Sequence, residues 1–95
     1  MKKYLKFTTT DEGDVYVDIL KISYVWQPSD VNTETYMVTV AGKKMTLTHA
    51  ADSTGTAMSR WWNENVVSII NNPYNEVLYT ATTPPLAITT LDLTQ

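Results

Sequence analysis

The sequence predicts an α+β protein, in which an antiparallel sheet of about four to six strands is covered by one α-helix over about residues 53–71. Two observations support this fold class. Short runs of valine, threonine and tyrosine lie between turns, which is typical of strands. One longer segment carries apolar side chains at helical spacing. With 95 residues, 43% of them hydrophobic and 18% charged, the chain is predicted to form a single domain over 1–95.

The first elements are two predicted strands and a break between strand segments. Residues 3–9 alternate apolar and polar side chains and form the first strand. After a turn, apolar side chains occupy odd positions up to Ile19 and even positions from Leu20 onward. Because strand side chains alternate with a period of two, this change of phase predicts a bulge or tight bend near Ile19–Lys21.

Residues 34–49 carry the clearest hairpin signal. A two-residue turn at Gly42 and Lys43 places glycine first, as one common type of hairpin turn requires. That turn fixes a register with three cross-strand pairs on one face, namely Val40 with Met45, Val38 with Leu47 and Tyr36 with His49. Each apolar cross-strand pair contributes about 0.2–1 kcal/mol, so the predicted register is favourable at every pair.

The predicted helix lies between two terminating signals. Asp52 and Ser53 are candidate N-terminal caps, because their side-chain oxygens can accept hydrogen bonds from unpaired amides. Pro73 ends the helix, since the residue before a proline avoids the helical region. The apolar stripe recurs at helical spacing through Met58, Trp62, Val66 and Ile69 or Ile70.

The segment after the helix is predicted to hold a strand over 76–80 and a final extended arm. Pro84 and Pro85 separate the two, because consecutive prolines set a stiff, extended path. Two interpretations of the arm, residues 84–95, are open. The arm pairs within the sheet of its own chain, or it adds as a strand to the exposed sheet edge of a neighbouring chain.

The adjacent tryptophans Trp61 and Trp62 raise the question of a partner. Neighbouring helical residues lie about 100° apart, so both rings are buried only where the helix is covered on two sides. Either one indole contacts a partner subunit, or both belong to the core of one chain. The candidate interface residues are these tryptophans and the apolar residues of the arm: Trp61, Trp62, Leu86, Ile88, Leu91 and Leu93.

The composition argues against several classes of function. The chain has no cysteine and a single histidine, which excludes thiol catalysis and any site that needs two imidazoles. The net charge of -3 argues against a general affinity for nucleic acid. The apolar stretches are too short to span a membrane. The sequence therefore predicts a protein that has neither nucleic acid nor membrane as a partner.

No catalytic or metal-binding constellation is visible in the sequence. His49 is predicted to lie at the rim of a strand end beside Tyr36, because no recognisable catalytic spacing surrounds it. Asp11, Glu12 and Asp14 lack the spacing of a calcium loop and are predicted to form a solvated turn. We therefore expect a protein that is not an enzyme and that uses no cofactor and no metal.

Three short motifs occur along the chain. They are Lys3-Tyr4-Leu5-Lys6-Phe7 at the start, Met45-Thr46-Leu47-Thr48-His49-Ala50 before the helix, and Arg60 followed by Asn63 within it. Over most of the chain this combination resembles the small threonine-rich structural proteins of marine tailed bacteriophages, particularly those of cyanobacteria. The resemblance implies a structural role in the viral particle, such as decoration of the capsid, and implies no catalytic residues.

Together these features predict a non-enzymatic viral structural or assembly protein. It is expected to form a homo-oligomer and to dock on other virion proteins, as a component of the virion assembled in the host cytoplasm. The alternative is a small monomeric regulatory or ligand-binding domain in the cytoplasm. That alternative predicts one concave apolar pocket and both tryptophans inside a single subunit.

Overall fold

The computed structural model describes residues 3–72 and 76–94, the last two by their backbone only. Within these residues it confirms the α+β class, with seven strands in two sheets and one α-helix, α1 (Ala57–Ile70). The strands are β1 (Tyr4–Thr9), β2 (Gly13–Asp18), β3 (Ile22–Trp26), β4 (Glu34–Thr39), β5 (Lys44–His49), β6 (Leu78–Thr80) and β7 (Ile88–Thr94).

The strands divide between two sheets instead of forming the single predicted one. Sheet 1 has the order β2-β1-β6, and sheet 2 has the order β3-β4-β5-β7. β6 runs parallel to β1, whereas the other paired strands are antiparallel. Parallel neighbours need a long crossover connection, and here the whole chain between β1 and β6, including α1, provides it.

The predicted break between β2 and β3 is confirmed at Ile19–Lys21. The chain forms one 3₁₀ turn there, and the carboxylate of Asp18 accepts a hydrogen bond from the amide of Leu20 at 3.1 Å. The consequence is larger than a local bend, because the chain leaves sheet 1 at this turn and enters sheet 2.

Beyond the break, the sequence has apolar side chains at even positions of β3, but these positions do not all face the core. Val25 packs against the core, while Tyr24 and Trp26 are 57% and 37% exposed. A register shift between Ile22 and Tyr24 marks a bulge, which changes the face that each following side chain occupies.

The hairpin of β4 and β5 forms, but the predicted register is wrong. The turn has three residues, because the amide of Thr39 donates to the carbonyl of Lys43 at 2.8 Å. Gly42 occupies the third turn position with φ +86°, a left-handed conformation that glycine adopts without a steric penalty. Met37 therefore faces Met45 across the hairpin.

This register is shifted by three residues from the predicted one, and an odd shift exchanges the two faces of a strand. Thr35 now lies opposite Leu47 on the buried face, and Tyr36 lies opposite Thr46 on the outer face. The pairs that do not form are Val40 with Met45, Val38 with Leu47 and Tyr36 with His49.

The core lies between the two sheets and α1. The helix begins at Ala57, later than predicted, and it ends at Ile70. Arg60, Asn63 and Glu64 are exposed and form its polar face. The buried apolar side chains of the described residues are Leu5, Phe7, Val17, Ile19, Met37, Leu47, Met58, Trp61, Trp62, Ile69 and Ile88.

Candidate functional site

Both adjacent tryptophans lie inside the single chain. Trp61 and Trp62 are 4% and 2% exposed. Phe7 of β1 meets both rings edge-on, with centroid distances of 5.7 and 6.3 Å. The indole nitrogen of Trp61 donates to the carbonyl of Thr82 at 2.8 Å, so the segment after β6 covers the second side of the helix. The structure therefore matches the interpretation in which the chain's own core buries both rings.

The C-terminal arm also packs on its own chain. β7 pairs antiparallel with β5 and forms one edge of sheet 2. Ile88 is buried, and Leu86 and Leu91 are partly buried against the core, while the side chain of Leu93 lies outside the described part of the structure. The candidate interface side chains that are described therefore expose little surface in this structure.

His49 lies in the core and not at the rim predicted for it. Its Nε2 is hydrogen-bonded to the Thr35 hydroxyl at 2.8 Å, and its Nδ1 donates to the carbonyl of Ala50 at 2.7 Å. A carbonyl can only accept, so Nδ1 carries a proton, while the Thr35 hydroxyl can pair with Nε2 as donor or as acceptor. The shift of register explains the error, because it turns His49 toward Thr35 and turns Tyr36 outward.

The acidic turn before β2 ties neighbouring strands together. Glu12 accepts a hydrogen bond from the amide of Leu91 at 2.9 Å. Asp14 accepts one from the Thr8 hydroxyl at 2.8 Å and lies 3.6 Å from Lys6. No group of three or more histidine or acidic side chains within residues 3–72 and 76–94 could hold a metal ion.

Asp52 organises the start of α1, as predicted, whereas Ser53 forms no cap and is exposed. The Asp52 carboxylate accepts hydrogen bonds from the Gln27 side chain and from the amide of Ala57, both at 2.9 Å. Burial acts to raise the pKa of Asp52, but the hydrogen bonds from Gln27, Thr54 and the helix amides outweigh burial and hold the pKa well below its ordinary value. Asp52 is therefore a charged structural group.

The outer face of sheet 2 carries a cluster of aromatic rings, which we name the aromatic row (Tyr24, Trp26 and Tyr36). The rings of Tyr24 and Trp26 are stacked, with centroids 5.4 Å apart and planes at 28°. Trp26 meets Tyr36 edge-on at 5.2 Å. The rings support one another, so the row is an ordered surface even though two of its members are substantially exposed.

Charged groups of opposite sign flank the aromatic row at Tyr36. The ammonium of Lys44 lies 4.0 Å from the centre of the Tyr36 ring, a cation–π distance. The Tyr36 hydroxyl donates to the carboxylate of Glu34 at 2.7 Å. This hydrogen bond, followed by partial burial and the negative charge of Glu34, raises the pKa of Tyr36 above its ordinary value. The phenol therefore stays protonated and keeps its hydrogen bond.

The row has the chemistry of a docking surface. Tyrosine and tryptophan beside a polar rim are typical of the residues that dominate protein–protein interfaces. The sequence contained a signal for the aromatic row, but the hairpin register predicted above did not indicate it. A glycine in the third position of a three-residue turn places Tyr36 on the outer face, where it joins Trp26 and Tyr24.

Several grooves on the described structure are open to solvent. One, of about 270 Å³, lies between β1 and the segment after β6 and is lined by Lys6, Phe7, Thr8, Thr80, Ala81, Thr82, Thr83 and Pro84. Another lies beside Asp52 and is lined mainly by polar side chains. These two grooves are open to solvent, and in this they differ from the enclosed apolar pocket that a small-ligand domain was expected to contain.

Fold and surface define the chain as a small two-sheet α+β domain with an exposed aromatic face. Comparisons with protein-family models, with curated proteins and with solved structures find no match. In the described residues no helix has both the length and the apolar character needed to cross a membrane.

Proposed function

We propose that the protein is a non-enzymatic structural or assembly component of a viral particle, which docks on other virion proteins through the aromatic row. The single observation that carries this proposal is the exposed and internally stacked arrangement of Tyr24 and Trp26 on the open face of sheet 2. The resemblance of three sequence motifs to phage structural proteins supports the viral context.

The docking mechanism is burial of the aromatic row against a protein surface. Hydrophobic burial contributes about 25 cal/mol for each Å² removed from water. The rings are already ordered by their mutual contacts, so a partner loses less conformational entropy in fixing them. Lys44 and Glu34 beside Tyr36 add polar contacts that select orientation.

The state of the ionisable groups supports a role without catalysis. A general base needs a proton-accepting atom that is free and faces the substrate. In the described structure both ring nitrogens of His49 bond to groups of the chain itself, and Asp52 accepts hydrogen bonds from amides of α1. These two side chains therefore serve the fold.

The direct test is mass spectrometry of purified particles from the source, with quantification of copy number. We expect the chain to be present at a copy number that matches a repeated site of the particle. Absence of the chain from purified particles would refute the viral part of the proposal.

The docking surface is tested by comparing Trp26→Ala with Tyr16→Ala, an exposed aromatic of sheet 1. Truncation of a central interface tryptophan typically costs about 2 kcal/mol or more, so we expect Trp26→Ala to weaken incorporation into particles at least about tenfold. Tyr16→Ala is expected to leave incorporation unchanged. Equal effects of the two substitutions would refute the assignment of the aromatic row.

The second candidate function is a small monomeric regulatory or ligand-binding domain of the cytoplasm. One observation favours it, namely that Trp61 and Trp62 are both buried inside one chain. The open, threonine-rich grooves do not favour it. Equilibrium sedimentation separates the candidates, because the second candidate requires a monomer at every concentration.

A further inference from the structure

We infer that the protein self-associates through the outer edge of β3, which pairs antiparallel with β3 of a second copy across a two-fold axis at Val25. This inference rests on the proposed function, because it names the surface through which the expected homo-oligomer forms. It follows from a comparison of the four sheet edges in the described structure and from the direction of the backbone groups of β3.

The edge formed by β7 is covered by the turn over 10–12. The amides of Thr10 and Asp11 donate to carbonyl groups of β7 at 2.9 and 3.2 Å. The carboxylate of Glu12 accepts a hydrogen bond from the amide of Leu91 at 2.9 Å. These contacts satisfy backbone groups that would otherwise be available to another strand.

The two edges of sheet 1 are protected in other ways. β2 carries Asp14 and Asp18, and charged side chains on an edge strand oppose pairing with another chain. β6 has only three residues (Leu78–Thr80), and a short edge gives few hydrogen bonds to a partner. β3 differs from both, since its five residues Ile22–Trp26 include no charge and no proline.

The backbone of β3 presents a free pair of hydrogen-bonding groups. The amide of Thr39 donates to the carbonyl of Lys43, so the backbone N–H and C=O groups at odd positions of β4 point toward β5. The backbone groups at even positions of β4 point toward β3, where they pair with those of Tyr24 and Trp26. Val25 lies between these two residues, so its N–H and C=O point away from β4. No other group in residues 3–72 and 76–94 bonds to them.

Those groups fit a second copy of the same strand. When Val25 lies opposite Val25 of the second copy, each N–H meets the other carbonyl, which is the hydrogen-bonded pair of an antiparallel ladder. The same register places Tyr24 opposite Trp26 of the second copy, and aromatic cross-strand pairs are favourable. The residues of β3 carry no charge, so no like charges meet within the paired strands. The two aromatic rows join in one patch of six rings.

Charge substitution at the two exposed aromatic positions tests both the surface and the register by sedimentation velocity. We expect the natural chain to dimerise with increasing concentration. Tyr24→Lys with Trp26→Lys sets like charges against each other across the axis, and we expect dimerisation to weaken at least about 100-fold. Tyr24→Lys with Trp26→Glu sets opposite charges against each other, and we expect it to restore the dimer in a salt-dependent manner.

The matched control is Val67→Lys with Ile70→Lys, which introduces the same charge at exposed apolar positions of α1. We expect this variant to dimerise like the natural chain. A second measurement uses the natural chain alone, in which the amide exchange of Val25 is expected to slow with concentration. The amide of Tyr24, which faces β4, is expected to be protected throughout.

A monomeric natural chain at millimolar concentration, an unaffected dimer in the double-lysine variant, or no restoration by the lysine–glutamate variant would each overturn the inference. So would loss of the dimer in the helix control, or a Val25 amide whose exchange is independent of concentration. Detection of the chain in purified particles does not depend on any of these results, so the inference can fail while the proposed function stands.

Discussion

Replacing Asp52 by alanine removes the carboxylate that holds the start of α1. Its two oxygens accept hydrogen bonds from the side chain of Gln27, from the amide and hydroxyl of Thr54, and from the amides of Gly55, Ala57 and Met58. Thr54 and Gly55 are exposed, so water can replace the carboxylate for them. The donors of Gln27, Ala57 and Met58 are buried or partly buried, and their loss determines the cost.

A hydrogen bond to a charged group contributes about 1.5–3 kcal/mol, and loss of a helix cap alone costs about 0.5–2 kcal/mol. Water that enters the space of the missing carboxyl can accept hydrogen bonds from the three donors, and it therefore recovers part of the free energy that those bonds contribute. We therefore expect Asp52→Ala to lower the free energy of unfolding by about 3 kcal/mol. For a domain of this size that corresponds to a fall in Tm of about 12–24 °C.

The assay is thermal and urea unfolding followed by circular dichroism, with Ser53→Ala as the matched control. Ser53 is exposed and its side chain makes no hydrogen bond in the described structure, so its substitution is expected to change the free energy of unfolding by less than about 0.5 kcal/mol. A loss below about 1 kcal/mol for Asp52→Ala, or equal losses for both variants, would refute the role assigned to the carboxylate.

Three further predictions concern acid, the hairpin turn and the core. Because the pKa of Asp52 is lowered on folding, its stabilisation is complete above its ordinary value of 3.8 and is lost as the pH falls toward the folded pKa. Asp52→Asn should therefore flatten the dependence of unfolding free energy on pH in this acidic range, and an unchanged slope in acid titrations would contradict it. Gly42→Ala should lower the free energy of unfolding by about 1 kcal/mol because of the positive φ alone, since no atom lies within 4 Å of the added Cβ. A neutral result in urea unfolding would argue against the three-residue turn. Trp62→Ala should lower the free energy of unfolding by about 3–5 kcal/mol, whereas Tyr24→Ala should lower it by well under half of that. Similar losses in the same assay would contradict the assigned burial.

Local patterns predicted the elements whose structure depends on nearby residues. The alternation of Leu5 and Phe7 predicted β1, and the change of phase predicted the break at Ile19–Lys21. Asp52 was a correct candidate for the helix cap, although it acts from five residues before Ala57. In each case the decisive interaction spans only a few residues, so the sequence itself contains the signal.

The register of the hairpin shows where local patterns were insufficient. Turns of two or three residues both suit glycine at position 42, and the two registers differ by an odd number of residues. The structure has Met37 and Leu47 on the buried face, together with Thr35 and His49, which satisfy each other by a hydrogen bond. A buried histidine and threonine are acceptable only as a bonded pair, and the sequence pattern alone did not indicate that pairing.

The candidate docking surface was missed for the same reason. The sequence directed attention to Trp61, Trp62 and the arm, because a single sheet leaves one side of the helix uncovered. Two sheets and the segment at Thr82 cover both sides, so those rings are internal. The exposed aromatics lie on sheet 2, where the bulge in β3 and the turn at Gly42 place them.

The sequence by itself determined the α+β class, most of the strands, and the break between β2 and β3. Spacing and local hydrogen bonding fix such features within one element. Only the tertiary structure decided the division into two sheets, the parallel pairing of β6 with β1, the hairpin register and the burial of both tryptophans. These features depend on contacts between residues far apart in the chain, and their energies are set by packing across the whole core.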